Sequence, residues 1–287
     1  MKFRIIAISA LFLFINGCSI QRLAIRSMSG VLNNSMNALY EESDLKLAEP
    51  AIASDLKLLE GLLKGDPDND NLLFLATQGF AAYALGFVED IDPPRAQKLY
   101  LRGRDYGLQI LMKNDEFKKA YHQNAESFKH SLQSFTQNDV PALFWTANSW
   151  AGWINLSFTN TQALADLPRV QLLMQRVIEL DETYFYGGAH LFFGTIYAAR
   201  PPLLGGDPEK AKFHFTKCFE QADNKFLLPY VYYAKFYVTR EFDEELFRET
   251  LGKVINTPGD ILLEQTLPNA IAKQKARRLL EQIEDFF

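Results

Sequence analysis

The residues with most capacity for chemistry in this 287-residue chain are two cysteines, four histidines and one glycine-rich stretch. Cys218 follows His214 by four positions, which places both on one face of a helix as half of a metal site. Two ligands do not complete a tetrahedral centre, so the pair reads as core, and neither a metal nor another cofactor is expected. His122, His130 and His190 are scattered along the chain. The stretch RPPLLGGDP from Arg200 to Pro208 has the glycines of a phosphate cradle, but a phosphate loop needs Gly-Lys-Ser or Gly-Lys-Thr after a strand, and neither is present. No serine occupies a Gly-X-Ser-X-Gly elbow, and no pair of carboxylates stands out from the many on exposed helix faces. The expectation is that the chain is not an enzyme.

Cys18 has a different chemistry. Lys2 and Arg4 precede an apolar run from Ile5 to Ile15, and Asn16-Gly17-Cys18 follows. The run is shorter than the roughly 20 residues that span a bilayer, and it suits a secretory leader. The segment resembles a lipobox, where cleavage exposes a cysteine whose thiol carries a diacylglyceryl group. Residues 1–17 are therefore expected to be a lipoprotein signal peptide and Cys18 the lipidation site, with acyl chains contributing about 0.8 kcal/mol per buried CH₂ to membrane attachment. The protein would be tethered on the periplasmic side, and Ser19, in the place where Asp would retain a lipoprotein at the inner membrane, favours the outer one. An acylated Cys18 leaves Cys218 without an intramolecular disulfide partner.

Composition supports a packed body. The chain is 48% hydrophobic and 13% aromatic, with net charge −5, falling to −7 without the two basic residues of the leader. A net acidic chain argues against a general nucleic-acid binder, which needs a basic face to displace counterions. Strand signals are weak and helical spacing is strong. In EFKKAYHQNAESFKHSLQSF, residues Phe117, Ala120, Tyr121, Phe128, Leu132 and Phe135 follow one stripe, and Ala272, Ala276, Leu279, Ile283 and Phe286 repeat the pattern near the C-terminus. The expected fold is all-α.

The spacing also repeats. A small residue, a large apolar one four later and another small or apolar one three later occur at Ala96, Tyr100, Gly103; at Val170, Met174, Val177; at Ala211, Phe215, Cys218; and more loosely at Phe247, Leu251, Val254. That is the second-helix pattern of tetratricopeptide (TPR) repeats, whose helix pairs must stack to bury their apolar faces. It predicts a TPR-like helical-hairpin solenoid of three to four divergent repeats plus terminal capping helices. RPPLLGGDP then becomes an enlarged connection between partner helices. Its prolines end the first helix, Gly205 and Gly206 allow positive φ, Asp207 caps the next helix, and Pro208 takes its first position. First helices should be apolar nearly all round, as in PALFWTANSWAGWINLSF. Asn148, Gly152 and Asn155 interrupt that helix with a small polar stripe, either a close packing line or the wall of a channel.

AARPPLLGGDPEKAKFHF, DVPALFWTANSWAGWINL, the LPRV beginning at Leu167 and YLRGRDYGL beginning at Tyr100 closely resemble the TatT family, lipoproteins associated with tripartite ATP-independent periplasmic (TRAP) transporters. The resemblance implies a TPR-like domain over 45–287, preceded by a tether and N-terminal helix over 18–44. It also implies a homotrimer whose protomers each carry a pore or groove, and a periplasmic solute-binding protein of the transporter as partner, with hydrophobic or organic-acid ligands passed between them. Candidate lining residues are Trp145, Asn148, Trp150, Phe192, Phe193, Tyr197, Tyr233 and Tyr237, with Arg200 placed to meet a carboxylate at the mouth or to neutralise the end of its helix. The rival reading is a TPR-type lipoprotein scaffold for outer-membrane or cell-wall assembly.

Overall fold

The computed structural model describes residues 20–157 and 159–287; the expected leader and Cys18 lie outside the described residues. Among the described residues every regular element is helical. After a helical segment at 20–27 come α1 (Ser29–Tyr40), α2 (Leu45–Gly65), α3 (Asp70–Tyr83), α4 (Pro93–Leu111), α5 (Asp115–Ala120) and α6 (Ala125–Ser131). They are followed by α7 (Val140–Asn155), α8 (Thr161–Asp181), α9 (Tyr184–Ala199), α10 (Pro208–Gln221), α11 (Leu228–Tyr232), α12 (Glu244–Asn256) and α13 (Thr266–Glu281).

Short polar side chains set most of the helix starts. The carboxylates of Asp44, Asp92, Asp207 and Asp243 and the amides of Asn69, Asn114, Asn124 and Asn160 each accept from a backbone N–H in the first turn of the helix they precede. Such caps satisfy donors that otherwise have no intrahelical partner, each contributing about 1 kcal/mol. In the RPPLLGGDP connection, α9 ends at Ala199, a 3₁₀ turn spans Pro202–Leu204, and Asp207 accepts from Lys210 N–H with Pro208 following it. Gly205 has φ +88°, whereas Gly206 is not in the left-handed region. Gly206 is needed for space instead, because a Cβ there would run into the Arg200 carbonyl.

One element departs from the periodicity. The stripe from Phe117 to Phe135 does not lie on a single helix: α5 ends at Ala120, and Asn124 turns the chain and caps α6 through Ser127 N–H. The stripe residues still meet, with Phe117 within 5.4 Å of both Phe128 and Phe135 by ring centroids. A short loop that returns the chain onto its own apolar face mimics the spacing of a continuous helix.

The longer helices pack in sequence: α3 on α4, α7 on α8, α9 on α10, α11 on α12. The first members also touch one another, α3 to α7, α7 to α9 and α9 to the continuation of α11. The repeat positions named from spacing are buried on the second members, α4, α8, α10 and α12. The last helix, α13, packs on α12 and α11 and also on α1 and α2, so the C-terminus meets the N-terminal helices and the row of pairs closes on itself. The inner wall of that closure is made largely by α3, α7, α9, α11 and α13.

Candidate functional site: an apolar cavity inside the helical ring

On the inside of this closure is a cavity of about 380 Å³. Its wall is built where small residues on the first helices leave room for large ones. The α7 stripe of Asn148, Gly152 and Asn155 faces it, flanked by Phe144 and Trp145. Gly152 is required there because a Cβ would overlap the ring of Tyr100, and Gly188 on α9 because a Cβ would come within 2.6 Å of two atoms of the Phe144 ring. Phe192, Thr195 and Ile196 of α9 and Met36, Leu39 and Tyr40 of α1 complete much of the apolar lining.

Two irregularities shape the wall. α3 runs on as a π-helical segment, Ala84–Val88, and α11 as another, Tyr233–Val238; both contribute lining residues, Leu85 from the first and Lys235 and Phe236 from the second. At the start of α9, Phe185, Tyr186 and Gly187 have φ of 48°, 57° and 72°. For the two aromatic residues this left-handed backbone costs about 1–2 kcal/mol each. Packing opposes that cost: the Phe185 ring lies 4.8 Å from Trp145 and 5.7 Å from Phe144 and Phe226, and Tyr186 stacks on Phe226 at 5.1 Å. The turn presents both rings to the cavity.

The polar part of the wall is an ionic seam. Lys275 Nζ of α13 lies 2.7 Å from Glu89 Oε1 and 2.7 Å from Asp90 Oδ2, just beyond the first π segment, and Arg278 Nη1 is 3.6 Å from Asp90. Tyr100 donates its hydroxyl to Glu89 Oε2 at 2.5 Å. Burial works to pull the Lys275 ammonium down, but the two carboxylates prevail and hold it above the usual lysine range. Burial, reinforced by Glu89 and Asp90, pushes the hydroxyls of Tyr100 and Tyr232 far up, so both stay neutral. The seam ties the last helix to the third and charges one side of an otherwise apolar chamber.

Two donors on the wall lack a partner. The Tyr40 hydroxyl and the Trp145 indole N–H are buried with no hydrogen-bond acceptor among the described residues. Burial pushes Tyr184 up to about 12, opposed by the Trp145 indole beside it. Burial likewise raises the Tyr40 hydroxyl far above its ordinary value, so it remains a neutral donor. An unmet buried donor costs about 1–3 kcal/mol, which an acceptor on a bound molecule would offset.

Of the candidate lining residues named from sequence, Trp145, Asn148 and Phe192 are on the cavity wall, as are Gly152 and Asn155 of the α7 stripe. The rest lie elsewhere. Trp150 is fully buried, donates from Nε1 to Asp166 Oδ2 at 3.0 Å, and has Arg104 over its ring. Phe193 and Tyr197 stack with each other and with His214 between α9 and α10. Tyr233 and Tyr237 stack at 5.1 Å, and Tyr233 meets Phe215 edge-on. Arg200 caps the C-terminus of α9, where burial lowers its guanidinium.

The sequence reading missed Tyr40, Phe185, Tyr186, Glu89 and Lys275. A lysine beside the apolar Ala272, Ala276, Leu279 stripe of α13 was the signal for the seam, since a cation there must find an anion. His214 and Cys218 do share a helix face, but His214 Nδ1 pairs with His190 Nδ1 at 2.8 Å and the Cys218 thiol donates to the Gly187 carbonyl. Burial pushes that thiol strongly up, and no group of three potential metal ligands converges among the described residues.

Two comparisons with known proteins relate this chain to others by sequence. An uncharacterized protein of Treponema pallidum (strain Nichols) is 24% identical to the chain, covering 94% of this chain and 93% of the relative. The family model for the TRAP transporter T-component matches residues 41–287. That match takes in every helix from α2 to α13, and with it nearly all of the cavity wall. The chain belongs to the TRAP transporter T-component family, and so is an accessory component of a TRAP transport system.

Proposed function

We propose that this protein is a lipoprotein anchored through Cys18 on the periplasmic side of a membrane, the outer one by the Ser19 criterion. Its TPR-like solenoid docks a solute-binding protein of the TRAP system and receives or passes on a ligand. The observation that carries the ligand half of this reading is the largely apolar cavity whose wall holds two buried donors without acceptors, Tyr40 and Trp145. A chamber of this kind takes a molecule with an apolar body and one accepting head, a description that fits a hydrophobic organic acid. Asn148 and Asn155 on the α7 stripe add amides that can accept or donate to the same molecule. Trimerisation would collect several binding proteins at one patch of membrane, raising their effective concentration without any new contact.

Affinity purification of the native acylated protein, with mass spectrometry of co-purifying proteins and of extracted small molecules, tests both halves. A TRAP solute-binding protein together with an apolar acid is the expected result. Recovery of outer-membrane or cell-wall assembly proteins in place of a binding protein would replace this reading with the scaffold.

A further inference from the structure

The helical segment at 20–27 runs through a single turn residue, Met28, into α1, and its two sides differ sharply. One side is held by the body. Ile25 and Leu32 are buried, Gly65 at the end of α2 lets Ile25 approach closely, and Arg26 Nε reaches the fully buried Asp66 carboxylate at 2.7 Å with Arg22 Nε at 3.9 Å. The opposite side is mainly apolar and faces away, with Ser27 on it donating its hydroxyl to the Ala24 carbonyl of its own helix. Ile20 is 65% exposed, Leu23 70% and Val31 66%, with Met28 beside them at 38%. At about 100° per residue these four fall within an arc of roughly 140°, opposite Ile25, Leu32 and the two arginines.

We infer that this face lies on the bilayer surface as a second membrane contact beside the acyl anchor; the inference rests on acylation of Cys18. Position and charge select a bilayer over another protein. Ile20 is two residues beyond Cys18, and two residues span at most about 7 Å, so the helix begins at the depth of the headgroups. The exposed apolar set is complete by Val31, about 16 Å further along the helix. Beyond it the same face carries Asn34, Ser35 and Ala38, as for a helix that rises off the membrane with distance from its anchor. Residues 20–40 contain no Asp or Glu and two Arg, so nothing on this helix repels anionic lipid headgroups. Interfacial helices of this kind bury their apolar side about 5–10 Å into the headgroup and acyl boundary.

The consequence is positional. Met36, Leu39 and Tyr40, at the far end of the same helix, line the cavity. A helix fixed on the lipid at one end and built into the cavity wall at the other sets the height and tilt of the cavity above the membrane. A thioether-linked lipid alone would leave the body free to swing.

The test uses the full-length acylated protein, purified from membranes and reconstituted in phosphatidylcholine–phosphatidylglycerol vesicles. In a Cys218→Ala background, Leu23→Cys and Val31→Cys are each labelled with the environment-sensitive fluorophore NBD, and Leu164→Cys, exposed on α8, serves as control. The expected result is blue-shifted emission at 23 and 31 and its loss with doxyl-labelled lipids, with neither at 164. Labels at 23 and 31 as water-exposed as the control overturn the contact. Blue-shifted labels that resist lipid quenching but cross-link to a second copy also overturn it and assign the face to a subunit interface. Intact mass reads the anchor separately: acylated protein with Leu23 in water refutes the helix contact and leaves the anchor standing, whereas protein without the acyl mass refutes the anchor and this contact with it.

Discussion

Helix α7 and the outer packing layer between α9, α10 and the continuation of α11 both concentrate aromatic residues, yet the two clusters do opposite things. On α7, Phe144 and Trp145 stand beside the Asn148, Gly152, Asn155 stripe, and the space left by those small side chains is the cavity. In the outer layer, Phe193, Tyr197, His214, Phe215, Tyr233 and Tyr237 stack on or abut one another, and none of them reaches the cavity. An aromatic cluster alone marks only burial. Aromatics in register with small residues on a first helix mark a wall, because the small residues supply the volume that a ligand needs.

The comparison can be broken from either side. The largest effect is expected in the outer layer: Phe215→Ala should destabilise the protein by about 3–5 kcal/mol and leave ligand uptake by the remaining folded protein unchanged, as read by denaturant unfolding and a binding titration. Lys275→Met should cost about 3 kcal/mol, because Glu89 and Asp90 lose their shared cation in a half-buried setting. The Glu89→Gln, Lys275→Met double variant should recover part of that loss, and a failure to do so would deny that the seam couples α3 to α13. Gly152→Val should cost about 1–3 kcal/mol by forcing the Tyr100 ring aside.

Acid separates the two regions further. Burial first, and then the neighbouring His190, lower His214 to about 4, while His190 is itself lowered by burial against the opposing pull of Glu182. The unfolded chain takes up these protons near the ordinary histidine value of about 6.5, whereas in the folded protein His214 resists its proton until about 4 and His190 is held down in the same direction. Stability is therefore full above about 6.5 and falls as pH drops from there towards 4. Melting temperatures at pH 7 and pH 4.5 should diverge less in His214→Phe than in the wild type. The smallest stability effect, and one of opposite sign, is expected at the cavity wall: Tyr40→Phe removes a buried hydroxyl that has no acceptor, so stability should rise by about 1 kcal/mol while affinity for a carboxylate-bearing ligand falls.

Much of this architecture was legible in the chain. The triplets such as Ala211, Phe215, Cys218 are buried on second helices because spacings of four and three keep one face inward. The α7 stripe was visible as an interruption of an otherwise apolar helix. Other features were not visible, for physical reasons. The left-handed turn at Phe185 and Tyr186 is enforced by tertiary packing against the local preference of aromatic residues. The π segments come from one extra residue per turn, which spacing over five or six positions does not reveal. The seam joins Glu89 and Lys275 across 186 positions, and only ring closure brings them together. Tyr40 lies in the stretch expected to serve as tether and N-terminal helix, and its place in the wall depends on α1 packing against α13.

The central claim, that the α7 wall encloses a ligand site and the outer aromatic layer does not, is tested most directly by titrating an apolar carboxylate probe, dansylaminoundecanoic acid, into the wild type, Asn148→Phe and Tyr237→Ala. Asn148→Phe, which fills the chamber from its small-residue stripe, should abolish saturable binding, and Tyr237→Ala should bind as the wild type does. Undiminished binding to Asn148→Phe, or loss confined to Tyr237→Ala, would contradict the account.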